Sequence, residues 1–193
     1  MVSFEDAVHK RTSMYFGVDR LNPEIATNVL RVLIDDALHP IGGGRHHSVE
    51  VDITSDLGFC VADDEMPDCD ERGRPRLGFY NCLIPRSRWA LAGAAALSTR
   101  TVIEVRTNGR GYRQRLDGTE PAREPESYPA RPGHGTRACF ELDAAVLAPG
   151  AVVSRSLGTL GPAGNGCDLC SGRGFAELAA VTDHRAARPG ARA

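Results

Sequence analysis

Residues 49–67 read Val49-Glu50-Val51-Asp52-Ile53-Thr54-Ser55-Asp56-Leu57-Gly58-Phe59-Cys60-Val61-Ala62-Asp63-Asp64-Glu65-Met66-Pro67. Val49, Val51 and Ile53 alternate with Glu50 and Asp52, the pattern of a strand buried on one face. Ser55-Asp56-Leu57-Gly58 supplies a turn, and Phe59-Cys60-Val61-Ala62 returns as a second strand. The returning strand runs into an acidic knot, Asp63-Asp64-Glu65, followed by Met66-Pro67. An apolar hairpin ending in clustered carboxylates is a candidate site resting on a sheet.

On the N-terminal side, residues 23–38 read as a helix. Pro23 suits its first turn, Asn22 its N-cap, and Ile25, Val29 and Leu33 recur at helical spacing. Pro40 and Gly42-Gly43-Gly44 stop it. A shorter helix is expected over residues 4–11. On the C-terminal side, residues 68–88 read as a loop with at most one short helical turn. Trp89 to Leu97 is Ala-rich and apolar, a buried helix. Residues 101–106 and 111–116 form a hairpin about Asn108-Gly109, a strong two-residue turn signal. Residues 121–132 carry four prolines and read as a loop, and 135–142 as a further strand. From Pro149 onward periodicity fades, with one helical turn over 176–181 and disorder over the last dozen residues. The order predicts an α+β fold: a two-layer sandwich whose mixed, mostly antiparallel sheet carries helices on one face. The expected division is a domain over residues 1–148 and a flexible extension over 149–193.

Composition sets the outer bounds. The 193 residues suffice for one domain with a real core, at 41% hydrophobic and 25% charged. A net charge of −2 gives no signal for direct DNA binding or for a membrane surface. No apolar run approaches the roughly 20 residues that span a bilayer. The acidic start, Met1 to Asp6, lacks an apolar signal core, so a cytoplasmic location is expected. The six cysteines, Cys60, Cys69, Cys82, Cys139, Cys167 and Cys170, are then expected to be mostly reduced.

Five stretches, taken in order, resemble the ATP-binding domain of the DNA gyrase B family, within the wider group that includes histidine kinases and MutL. They are His9 to Gly17, Leu33-Ile34-Asp35-Asp36-Ala37, Val61 to Pro67, Ala94-Ala95-Ala96-Leu97-Ser98 through Tyr112-Arg113-Gln114, and Gly133-His134-Gly135-Thr136. Together they span about residues 4–148. The resemblance implies an adenine nucleotide, ATP or ADP with Mg2+, as ligand. Asp36 stands where the family has a magnesium-binding Asn, and a carboxylate is also a competent magnesium ligand. Asp63 stands where an Asp accepts the adenine amino group, Met66 and Pro67 follow it, and Thr136 matches the Thr that supports adenine through water. Each has a plainer reading as well: Asp36 as a solvated helix residue, Asp63 as a turn acid, and Thr136 as a strand former.

Two departures weaken the match. The family's general-base Glu lies one helical turn before the Asn. Val32 occupies that place, with Arg31 beside it, and neither has the proton chemistry required. No acid occurs over residues 28–33. General-base catalysis contributes roughly 10²–10⁴-fold, so turnover is expected to be weak or absent. The family's glycine-rich lid is also missing: Ile84 to Ala92 contains no glycine, and Pro85 removes a donor. Arg86 and Arg88 remain as phosphate contacts or as solvated loop arginines.

Cys167-Asp168-Leu169-Cys170 supplies two of the four ligands that a structural zinc needs, so zinc is not expected. His46-His47 reads as an exposed turn. The leading expectation is a stand-alone gyrase-B-like domain that binds adenine nucleotide with weak or no hydrolysis. The alternative is a non-catalytic module that kept the fold, lost the ligand and docks on another protein.

Overall fold

The computed structural model describes residues 2–39, 48–161 and 173–185. The helix expected over 4–11 forms, and a second short helix follows it after Arg11. α1 is Phe4–Lys10, started by a capping box in which Ser3 and Asp6 satisfy each other's backbone N–H groups. α2 is Thr12–Phe16, ended by Gly17 in the left-handed region at φ 76°. α3 is Ile25–Leu38. Asn22 lies before it, its side-chain oxygen accepting from the Glu24 N–H at 2.8 Å.

The hairpin of residues 49–67 forms as read: β1 is Val49–Ile53 and β2 Gly58–Asp63, paired antiparallel with Val51 opposite Val61. A 3-10 turn, Phe79–Asn81, is the helical turn expected within 68–88. α4 is Trp89–Ala96. β3, Ser98–Thr107, and β4, Arg110–Asp117, turn at Asn108 and Gly109, with φ 50° and 75°. Positive φ at both central residues is what this tight hairpin requires. The proline-rich stretch is not wholly loop. β5, Glu120–Pro121, and β6, Glu126–Pro129, both pair with β4. Proline is tolerated there because an edge strand can lack a donor on its open side.

β7, Gly135–Leu142, is the strand that joins the two hairpins. It inserts between β3 and β2 and pairs antiparallel with both. After it come α5, Phe175–Leu178, and β8, Ala180–Asp183, which pairs parallel with β1 and makes the sheet mixed. The strand order is β5-β4-β3-β7-β2-β1-β8, with β6 beside β4. One face of the sheet carries Val51, Ile53, Val61, Ile103, Ala138 and Phe140, which pack with Val29, Leu33 and Ile34 of α3 and Leu91 and Ala95 of α4.

The division after residue 148 does not mark where packing stops. Ala151, Val153, Leu157 and Phe175 belong to the same core, and Phe175 is fully buried. Sparse apolar residues hid this from periodicity, since each anchors alone on a surface built by other segments. The expectation that the cysteines are mostly reduced does not hold for one pair. Cys60 and Cys139 face each other across β2 and β7 and form a disulfide, their Cα atoms 4.0 Å apart. Cys69 and Cys82 are free thiols. Cys167, Cys170, His46 and His47 lie outside the described residues.

Candidate functional site

Three structural elements bring charge to the inner face of the sheet. β2 ends on Asp63, whose side chain points the same way as Val61, towards the helices. α3 presents Asp36 one turn from its end. The chain entering α4 presents Arg88, the residue preceding the helix. Arg88 is 3% exposed, and its Nε donates to Asp36 Oδ2 at 2.5 Å. Its Nη1 donates to Asp63 Oδ2 at 2.9 Å and to Glu65 Oε2 at 2.9 Å. One guanidinium thus holds three carboxylates, from α3, from the end of β2 and from the segment that follows β2.

The carboxylate of Asp63 is engaged on both oxygens. Oδ2 accepts from Arg88, and Oδ1 accepts from the Glu65 N–H at 3.1 Å. Thr136 lies directly opposite Asp63 on β7 and is buried. Gly135 explains how the two strands come so close: its φ is 139°, and a Cβ there would lie 2.2 Å from the Asp63 carbonyl oxygen. No L side chain fits that position without displacing the Asp63 backbone. Neighbouring Asp64 accepts from the Ser48 N–H at 3.0 Å.

Burial sets the electrostatics. It pushes the Asp36 carboxyl above the usual carboxylate range, and the attraction of Arg88 offsets only part of that rise. Burial works against the charged form of Arg88, but Asp36 and Asp63 more than compensate, so its pKa moves up from the ordinary arginine value. A guanidinium so placed stays charged, and without it Asp63 and Asp36, 3% and 10% exposed, would lack a compensating cation.

The residues singled out in the sequence therefore divide. Asp36, Asp63, Thr136 and Arg88 converge on one place. Pro67 and Arg86 do not reach it; they line a separate cavity of about 640 Å³ with Asp68, Arg76, Leu83 and Val105. Met66 is 66% exposed. Val32, which the resemblance aligned with a general base, is half-buried and packs against the core. Arg31 donates from Nη2 to the Gly161 carbonyl at 3.0 Å. Arg88, expected as a phosphate contact or a solvated loop arginine, is instead buried in the cluster, and Glu65 joins it without having been singled out. The acidic knot contained the signal for Glu65, but nothing in the local pattern ties it to a cation 23 residues later.

As arranged, these side chains do not fit a magnesium nucleotide. The carboxylate that would read adenine and the one that would hold magnesium are bridged by a side chain of the chain itself. Among the described residues, no group of three or more His, Cys, Asp or Glu side chains is disposed to hold a metal ion.

The architecture, an open mixed sheet with helices on one face, defines the class: an α+β sandwich of the gyrase B ATPase-domain type. The chain is similar to the 43K ATPase domain of Thermus thermophilus gyrase B, solved in complex with an aminocoumarin. The TM-score is 0.63 at 22% identity, over 80% of this chain and 43% of that one. At that identity the likeness shows the fold alone. The chain spans less than half the length of the gyrase structure. It is also 32% identical over 99 residues to the major capsid protein L1 of human papillomavirus 58, a stretch covering 51% of this chain and 18% of that protein. So small a share of the capsid protein defines no family. No protein-family model matches. Among the described residues, no helix is long and apolar enough to cross a membrane.

Proposed function

We propose that this chain is a non-catalytic interaction module built on the gyrase-B-type fold, with its nucleotide site closed by its own Arg88. The observation that carries this reading is the buried bridge from Arg88 to Asp36 and Asp63. It engages the two carboxylates that a magnesium nucleotide would need, and its removal would strand buried charge. Val32 at the general-base position supports the absence of hydrolysis. Trp89, the residue after Arg88, is an apolar side chain 36% exposed and supports a protein partner. Calorimetric titration with ATP and with ADP, each with and without magnesium, tests the reading. No heat of binding is expected up to millimolar nucleotide. Micromolar binding that is lost in Asp63→Asn would overturn it.

That second outcome defines the alternative. Asp63 and Thr136 are paired across β2 and β7, the arrangement an adenine reader would need. In this reading ATP or ADP enters when Arg88 withdraws, and the domain binds nucleotide with weak or no hydrolysis. A magnesium-dependent increase in affinity would assign Asp36 to the ion.

A further inference from the structure

The opposite face of the sheet carries its own chemistry. Cys60 lies on β2 and Cys139 on β7, each three residues from the paired Asp63 and Thr136 and on the other side of the sheet. Their disulfide lies at a solvent-open concavity of about 710 Å³, whose walls include Arg100, Glu104, Arg113 and Glu141. Cys139 is partly exposed, whereas Cys60 is 7% exposed. Arg137 precedes Cys139 by two residues and shares its face. Asp52 is the cross-strand partner of Cys60 on β1. Arg137 donates to Asp52 Oδ2 at 2.7 Å, and His184 Nε2 lies 2.9 Å from Oδ1.

We propose that Cys60–Cys139 is a reversible thiol–disulfide exchange site that reacts with dithiols while the protein stays folded. A dithiol thiolate attacks the sulfur of Cys139, the more accessible of the two, and the Cys60–Cys139 bond breaks. The electron pair leaves on Cys60, which takes a proton from water. The second thiol of the reagent, once deprotonated, attacks the reagent's own sulfur in the mixed disulfide. This closes a cyclic disulfide and releases Cys139 as a thiolate, which is then protonated. The dithiol loses two electrons and the protein gains two thiols. Arg137 is a positioning residue: its cation attracts the incoming thiolate, and with His184 it masks Asp52, the carboxylate opposite the leaving sulfur. The other buried cysteine is different. Cys82 lies in the core with its thiol pushed up to about 11 by burial, and no such approach reaches it. None of this depends on whether nucleotide enters at Asp63.

The test uses the full chain without denaturant. Before reductant, N-ethylmaleimide should modify neither Cys60 nor Cys139, as read by peptide mass spectrometry. After dithiothreitol both should be modified, with the far-ultraviolet circular dichroism unchanged and Cys82 still unmodified. Arg137→Gln should slow the reduction several-fold near neutral pH. Modification of both cysteines before any reductant would overturn the proposal, as would a bond that resists dithiothreitol until denaturant is added. An Arg137→Gln rate equal to wild type would remove Arg137 from the site.

Discussion

Arg88 and Arg137 make the same kind of contact on opposite faces of one sheet. Arg88 bridges Asp36, Asp63 and Glu65 beneath the helices at 3% exposure. Arg137 bridges to Asp52 on the open face at 33% exposure. The distances barely differ, 2.5–2.9 Å against 2.7 Å. What differs is the water each ion gives up. An exposed pair is screened and exchanges easily with solvent, whereas a buried one cannot lose a partner without stranding charge. The two carboxylates report this in opposite directions. Burial raises Asp36 from the ordinary value of 3.8, while hydrogen bonds from His184 and Arg137 lower Asp52 from it.

The comparison breaks most directly at Arg88. Arg88→Met keeps the side-chain length and removes the cation, so it should cost about 3–5 kcal/mol of stability in denaturant unfolding. A wild-type midpoint would end the distinction between the faces. Gly135→Ala pushes a methyl group into the Asp63 backbone at positive φ and should cost about 2–4 kcal/mol. A loss below 1 kcal/mol, by the same measurement, would mean that the strand spacing relaxes without harm. Arg137→Gln should cost less than about 1 kcal/mol and become indistinguishable from wild type in high salt.

Carboxylate titration by NMR sharpens the contrast without mutation. Asp36 should titrate above 3.8 and Asp52 below it. The signs of their stability contributions follow. Asp52 stabilises above its unfolded value and loses that contribution as pH falls through its lower folded value. The Asp36 contribution is full at acid pH and declines as pH rises from 3.8 through its raised folded value. Asp183, held to about 2 by Arg185, behaves like Asp52. The β8 amides should therefore lose hydrogen-exchange protection between about pH 4 and 2, before those of β2 do.

The alternation of Val49, Val51 and Ile53, the Asn108-Gly109 turn, the apolar spacing of α3 and the Ala-rich α4 each act within a few residues. The two hairpins and two main helices were legible for that reason. Three things were not. β7 enters between β3 and β2, pairings separated by 29 to 83 residues that no local pattern records. Phe175 and Val153 reach the core singly. The cysteines were expected to be mostly reduced from a compartment, while the pairing of Cys60 with Cys139 depends on strand register.

By itself, the sequence determined the two hairpins and two main helices, the α+β class, the absence of an acid over residues 28–33 and the presence of the carboxylates Asp36 and Asp63. These depend on which residues occur and at what local period. The tertiary structure decided what those carboxylates do. Packing α4 beside α3 over the sheet removes Arg88 from water, and a guanidinium removed from water must find anions. Asp36, Asp63 and Glu65 are the anions it meets, so the two carboxylates that resembled nucleotide ligands are engaged by the chain itself.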